Sequence, residues 1–125
     1  MMKKKSFVQT QFDHFMRHYL EAMCFTDFET EVELPPLSQE MAVQVLRECG
    51  TFYLLAREYM TDDNDLEMCA HDFWYTRNGH GAGFWDGDWP EPACSKLTGF
   101  SERFGEAHVY KGDDGLLYQS GGCFR

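Results

Sequence analysis

What this sequence lacks most clearly is a long apolar run. No stretch of about 18 apolar residues is present, so we expect no membrane-spanning helix. Residues 1–5, Met-Met-Lys-Lys-Lys, are similar to the start of a secretory signal, but no apolar core follows them. Polar residues interrupt the segment where that core would lie: Gln9, Gln11, Asp13 and His14. We therefore expect no signal peptide.

The sequence also lacks closely paired cysteines. Its five cysteines are spread along the chain, and none forms a Cys-x-x-Cys motif: Cys24, Cys49, Cys69, Cys94 and Cys123. An odd, widely spaced set is typical of reduced thiols rather than of a disulfide framework. We therefore expect free thiols in a cytosolic protein.

Positive charge is scarce. Lys and Arg number 11 against 21 Asp and Glu, which gives a formal net charge of −10. Binding to nucleic acid depends on basic side chains that neutralise phosphates, so direct binding to DNA or RNA is disfavoured. An acidic protein instead favours a partner with a basic surface, such as the nucleic-acid-binding groove of another protein.

Aromatic residues, by contrast, are abundant. They make up 16% of the chain, with 11 Phe, 6 Tyr and 3 Trp, and the hydrophobic fraction of 43% argues against a disordered chain. A core of this size has little room for so many large side chains, so we expect some of them at a binding surface. The length of 125 residues predicts one domain.

Apolar periodicity predicts a helix-rich fold. Apolar residues recur at helical spacing over four ranges: 6–24, 38–60, 65–77 and 93–104. Ser38 is a typical N-cap, and Asn78-Gly79 is a typical helix stop. Residues 25–37 alternate acidic and apolar side chains before Pro35-Pro36, which predicts an exposed extended connector.

The C-terminal part predicts a β-hairpin. Residues 107–110 and 116–118 flank a turn that contains Asp114-Gly115. An isolated hairpin is only marginally stable, so this one must pack on the helices. The sequence therefore predicts an α+β fold: a helix-rich single domain of about four helices with a small C-terminal antiparallel β-hairpin.

The most distinctive stretch is residues 71–86, His-Asp-Phe-Trp-Tyr-Thr-Arg-Asn-Gly-His-Gly-Ala-Gly-Phe-Trp-Asp. It resembles a signature, HDFW-x-TRNGHGAGFWD, of small acidic proteins encoded by tailed bacteriophages. Residues 104–118 support the resemblance, which covers roughly residues 61–118. It implies a phage or prophage origin and the cytoplasm of an infected host cell. It also divides the single domain 1–125 into a variable helical part, 1–60, and a signature module, 61–125.

The same stretch allows three interpretations of its polar residues. As an enzyme or ligand-binding domain it would be centred on His71, Arg77, Asn78 and His80. The two histidines would act as acid and base, and Arg77 would hold an anion. As a zinc site it would use ligands of suitable type but poor spacing: Cys69, His71, His80 and Cys94. As a structural turn it would satisfy loop amides and carbonyls. The third interpretation is favoured, and we expect neither catalysis, nor a metal, nor another cofactor.

We therefore expect a phage accessory protein that binds and inhibits or redirects a host or defence protein, in the manner of an anti-CRISPR or another anti-defence inhibitor. Its acidic residues would compete for a basic surface, and aromatic residues would anchor the contact. The predicted acidic residues lie in two groups: Asp27, Glu29, Glu31 and Glu33, and Asp62, Asp63 and Asp65. The predicted contact residues of the loop are Phe84, Trp85, Asp86 and Trp89.

Overall fold

The computed structural model describes residues 7–28 and 36–122. Within these ranges the chain forms α1 (Phe7–Phe28), α2 (Gln39–Ala56), α3 (Asp63–Arg77), α4 (Ala93–Glu102), β1 (His108–Lys111) and β2 (Leu117–Ser120), with a 3-10 turn at Arg57–Tyr59. The predicted helix-rich α+β fold with a C-terminal antiparallel hairpin is therefore confirmed. None of the helices described is long and apolar enough to cross a bilayer.

The signals at the ends of α2 and α3 act as predicted. Ser38 Oγ accepts a hydrogen bond from Met41 N at 3.1 Å, which caps the first turn of α2. α3 ends at Arg77, and Gly79 follows with a φ of 66°. That left-handed conformation favours glycine and lets the chain turn away from the helix.

α1 continues past its predicted end. Residues 25–28 are helical rather than extended, so the predicted connector is wrong there, and residues 29–35 lie outside the described part of the chain. Thr26 Oγ1 donates to Ala22 O (3.1 Å) and accepts from Trp74 Nε1 (2.7 Å). The second bond joins residues 48 apart. Tertiary packing therefore extends the helix over residues whose local pattern predicts an extended connector.

Fully buried phenylalanines form the centre of the core: Phe52, Phe73, Phe84 and Phe104. The rings of Phe52 and Phe73 stack with centroids 3.9 Å apart, and Phe104 meets Phe73 edge-on at 5.1 Å. Among the side chains that the structure describes, the exposed aromatic ones are Phe25, Trp85 and Tyr110. Most of the aromatic side chains therefore fill the core, and a few remain at the surface.

The hairpin packs on the start of α2, as its marginal stability requires. β1 and β2 pair antiparallel, and Tyr110 stacks on Tyr118 with ring centroids 5.7 Å apart. Ser38 N donates to Leu117 O and Leu117 N donates to Pro36 O, both at 2.9 Å, so the segment before α2 runs parallel to β2. Leu117 is fully buried, which fixes the hairpin to the helical core.

Candidate functional site

Arg77, at the end of α3, is 3% exposed and lies in a buried polar network. Its Nε donates to Gly105 O (3.0 Å), Nη1 donates to Tyr19 Oη (3.0 Å) and Nη2 donates to Phe104 O (3.4 Å). Glu48 of α2 forms an ion pair with the same guanidinium. We call these residues, with Gln119, the arginine network. Each nitrogen of Arg77 has a protein partner, so the side chain links α1, α2 and the segment that follows α4.

Two further contacts complete the arginine network. Gln119 Nε2 of β2 donates to Glu48 Oε1 at 2.7 Å, which brings the hairpin to the buried carboxylate. Burial raises the pKa of Tyr19, so its hydroxyl stays neutral and can accept from Arg77. The guanidinium also lies 5.5 Å from the ring centroid of Phe73. This environment leaves Arg77 without a free face for a substrate anion.

Asn78 joins α3 to the start of the hairpin. Its Nδ2 donates to Trp74 O (3.0 Å), and its Oδ1 accepts from Ala107 N (2.8 Å). Both functional atoms of the amide therefore bond to the backbone. The predicted structural role fits this residue, whereas its predicted place in a catalytic or ligand-binding group does not.

Residues 79–92, which we call the indole loop, are attached to the core at two points, Phe84 and Trp89. Phe84 is 0% exposed, and its N–H donates to Thr76 Oγ1 at 3.3 Å. Trp89 is 6% exposed, and its Nε1 donates to Asp72 Oδ2 at 2.9 Å. The prediction that these two aromatics anchor a partner at the surface is wrong, because they anchor the loop to its own protein.

Trp85 is the indole that this loop presents to solvent. It is 45% exposed and packs over Gly83, where an added Cβ would meet the indole ring at 2.8 Å. Asp86 is exposed, and one oxygen of its carboxylate accepts from Gly83 N at 2.9 Å. Asp88 is also exposed and was missed by the sequence interpretation, although it lies two residues from Asp86. The loop therefore displays one indole and two carboxylates on a fixed backbone.

The two histidines of the signature both lie near Tyr75. The ring centroid of Tyr75 is 6.5 Å from that of His71 and 6.4 Å from that of His80. His80 is exposed in the loop, whereas His71 faces α1. With Arg77 and Asn78 bonded elsewhere, the four residues of the predicted catalytic group do not converge on one point. The geometry therefore does not favour that enzyme.

His71 instead belongs to a group between α1 and α3 that we call the histidine–glutamate cluster. Its members each offer one ligand atom, and these atoms lie within 4.8 Å of one another: His18, Glu21, Glu67 and His71. His18 Nδ1 is 3.1 Å from Glu21 Oε2, and His71 Nε2 is 3.8 Å from that same oxygen. Burial, followed by the nearby His18, lowers the pKa of His71.

The predicted zinc ligands are not brought together. Cys69 is fully buried, and burial raises the pKa of its thiol. Cys94 lies in α4, and neither it nor His80 joins a group of three possible ligands among the residues described. Of the predicted set, His71 alone lies in such a group. The sequence does contain a signal for the neighbours of His71. His18 and Glu21 are three residues apart and share one face of α1, and Glu67 and His71 are four residues apart and share one face of α3.

The predicted acidic residues have different roles. Asp62 Oδ1 accepts from Asp65 N at 2.8 Å and caps α3, and Asp65 Oδ2 accepts from Thr61 N at 2.9 Å, which holds the residue before the cap. Asp63 and Asp27 are exposed. The remaining predicted acids lie outside the described residues: Glu29, Glu31 and Glu33.

Comparison of the chain with protein-family models, with curated proteins and with solved structures gave no significant match.

Proposed function

We propose that this chain is a phage-encoded accessory protein that binds and inhibits or redirects a host or defence protein through a basic surface on that partner. The observation that carries this proposal is the indole loop, in which Trp85, Asp86 and Asp88 are exposed while Phe84 and Trp89 are buried. Its concrete form is an anti-CRISPR or another anti-defence inhibitor that acts in the host cytoplasm.

The fixed backbone of the indole loop favours tight binding. Two buried aromatic side chains, the Asp72–Trp89 bond and the Gly83–Asp86 bond hold the loop before any partner arrives. Association then costs less ordering entropy than it would for a mobile loop. Tryptophan is among the residues that contribute most at protein interfaces. A half-exposed indole on a rigid loop is therefore a suitable anchor.

The charge of the indole loop determines the kind of partner. Residues 78–95 contain Asp86, Asp88 and Glu91 but no Lys or Arg, and the whole chain carries −10. A cluster of carboxylates attracts Lys and Arg and repels phosphates. A groove that normally holds nucleic acid is basic for the same reason. An acidic protein that occupies such a groove would compete with the nucleic acid, which is how inhibition would follow from binding.

The test is a phage plating assay in bacteria that carry defined defence systems, CRISPR systems among them. Expression of the chain should raise plating on at least one such strain, and the inhibited complex should co-purify with it. Trp85→Ala should weaken that binding by about 30-fold or more, the effect of about 2 kcal/mol at a hot spot. Asp86→Asn with Asp88→Asn should slow association and reduce its salt dependence.

Phe25→Ala is the matched control, because Phe25 is an exposed aromatic residue outside the indole loop. It should leave plating and binding unchanged. The proposal fails if no strain responds to the wild-type chain. The assignment of the site fails if Trp85→Ala and Phe25→Ala have the same effect.

A further inference from the structure

We propose that the histidine–glutamate cluster binds one divalent metal ion of the class that includes Zn²⁺ and Co²⁺. Its ligands would be two imidazoles and two carboxylates: His18, Glu21, Glu67 and His71. This site is separate from the indole loop, so the inference stands independently of the proposed partner.

The positions of the ligands follow from helix geometry. His18 and Glu21 are three residues apart on α1, and Glu67 and His71 are four residues apart on α3, so each pair shares one face of its helix. Tyr19 of α1 packs on Trp74 of α3 with ring centroids 5.5 Å apart, which holds the two faces against each other. Ligands on packed helices are positioned more accurately than ligands on loops.

The distances suit a small metal ion. Tetrahedral Zn²⁺ with ligands at about 2.0–2.2 Å requires ligand atoms about 3.4 Å from one another. The distances from Glu21 Oε2 to His18 Nδ1 and to His71 Nε2 are 3.1 Å and 3.8 Å, on either side of that value. The widest separation in the group is within 4.8 Å, so rotamer adjustment of the half-exposed glutamates would complete the tetrahedron.

His71 provides a second, independent indication. Its Nε2 is buried, and no hydrogen-bond partner for it exists among the described residues. Glu21 Oε2, at 3.8 Å, is too distant for a hydrogen bond. A buried nitrogen without a hydrogen bond destabilises a fold, whereas a metal ion would satisfy it. Two carboxylates would also neutralise the charge of a divalent ion.

The donor set selects the class of metal. Imidazole nitrogen favours Zn²⁺, Co²⁺, Ni²⁺ and Cu²⁺ over Mg²⁺ and Ca²⁺, which prefer all-oxygen sites. Glu21 and Glu67 are exposed, which leaves a path from solvent to the site. A bound ion would link α1 to α3 and thereby stabilise the folded state.

The test uses the full-length chain without a histidine tag, titrated with Zn²⁺ against a competing chromophoric chelator. We expect one ion per chain and a rise in Tm of about 10 °C at Zn²⁺ about 100-fold above Kd. His18→Ala, His71→Ala and Glu21→Gln should each weaken Zn²⁺ binding at least about tenfold. His14→Ala and His80→Ala, which change exposed histidines outside the cluster, should not.

Co²⁺ distinguishes this site from the cysteines. Bound by imidazole and carboxylate alone, Co²⁺ gives d–d absorption without the strong near-ultraviolet charge-transfer band of a thiolate ligand. We expect that spectrum in the wild type and its loss in His71→Ala. Retention of Zn²⁺ by His18→Ala and His71→Ala, a thiolate band, or the absence of any stoichiometric binding would each overturn the proposal. Circular dichroism of each variant establishes that it is folded.

Discussion

Two polar groups lie on α3 within two helical turns of each other, and they differ in how their polar atoms are satisfied. In the arginine network, each nitrogen of Arg77 has a protein partner and the side chain is almost wholly buried. In the histidine–glutamate cluster, the buried Nε2 of His71 has no hydrogen-bond partner among the described residues. Two buried oxygens of the arginine network also lack a hydrogen bond within the described part of the chain, Glu48 Oε2 and Gln119 Oε1, although Glu48 Oε2 is ion-paired with Arg77. The contrast is therefore between the two nitrogen groups: the guanidinium is fully hydrogen-bonded and holds the fold together, whereas the imidazole nitrogen of His71 is free to bind a ligand.

The largest expected effect comes from breaking the arginine network. Arg77→Met keeps much of the side-chain volume but leaves the carboxylate of Glu48 buried without its ion-pair partner. We expect a loss of about 3–5 kcal/mol in the free energy of unfolding. Urea denaturation followed by circular dichroism measures it. Arg47→Met, at an exposed position of α2, is the control and should change stability by less than about 0.5 kcal/mol.

The double variant Arg77→Met with Glu48→Gln sharpens this test. It removes both charges, so it should be less destabilised than the sum of the two single variants. If the two losses of stability simply add, the ion pair with Glu48 is not the main contribution of Arg77 to stability. Packing and the contacts with backbone carbonyls would then be the main contribution.

The second expected effect, the loss of stability in His71→Ala, is smaller, because His71 is not expected to hold the fold together. In a chelating buffer, His71→Ala should cost only about 1 kcal/mol, because it removes a half-buried ring with an unpartnered nitrogen. A loss as large as that of Arg77→Met would show that His71 is part of the structural network. Such a loss would remove the contrast between the two groups. The measurement is the same denaturation experiment in EDTA.

The sequence predicted the parts of this molecule that depend on neighbours along the chain. Ser38 and Gly79 mark helix ends through their own backbone and side-chain chemistry, and Asp114-Gly115 marks the hairpin turn. The fold class followed from such local signals. The favoured structural interpretation of Asn78 was also accessible, because a helix end leaves backbone groups that require partners.

What the sequence could not show depends on contacts between distant residues. Phe84 and Trp89 have the composition of a surface anchor, but the packing of the loop on Phe52 and Asp72 buries them. The end of α1 depends on a bond from Trp74 to Thr26. The histidine–glutamate cluster forms only when α1 and α3 pack together. Burial and pairing across elements are properties of the tertiary structure, so periodicity alone does not reveal them.

Asp72 lies on α3 between the two polar groups in the sequence, and it is intermediate in how far its polar atoms are hydrogen-bonded. One oxygen of its carboxylate accepts from Trp89 Nε1, and the group is half-buried. Burial raises the pKa of Asp72 to about 6 from its ordinary value of 3.8, although the bond from Trp89 lowers it and the nearby Asp86 adds to the rise. Its ionised form is therefore less stable in the folded protein than in the unfolded chain.

The smallest expected effect is that of Asp72→Asn, which keeps an oxygen to accept from Trp89 but removes the charge. Because the folded-state pKa is raised, the proton on Asp72 stabilises the fold below pH 3.8, and that contribution disappears as pH rises through about 6. At pH 7 the variant should be more stable than the wild type, by less than about 1 kcal/mol once partial exposure is allowed for. The gain should vanish at pH 4, as measured by denaturation in EDTA. A gain independent of pH would mean that the amide forms better hydrogen bonds than the carboxylate, and that burial does not destabilise ionised Asp72.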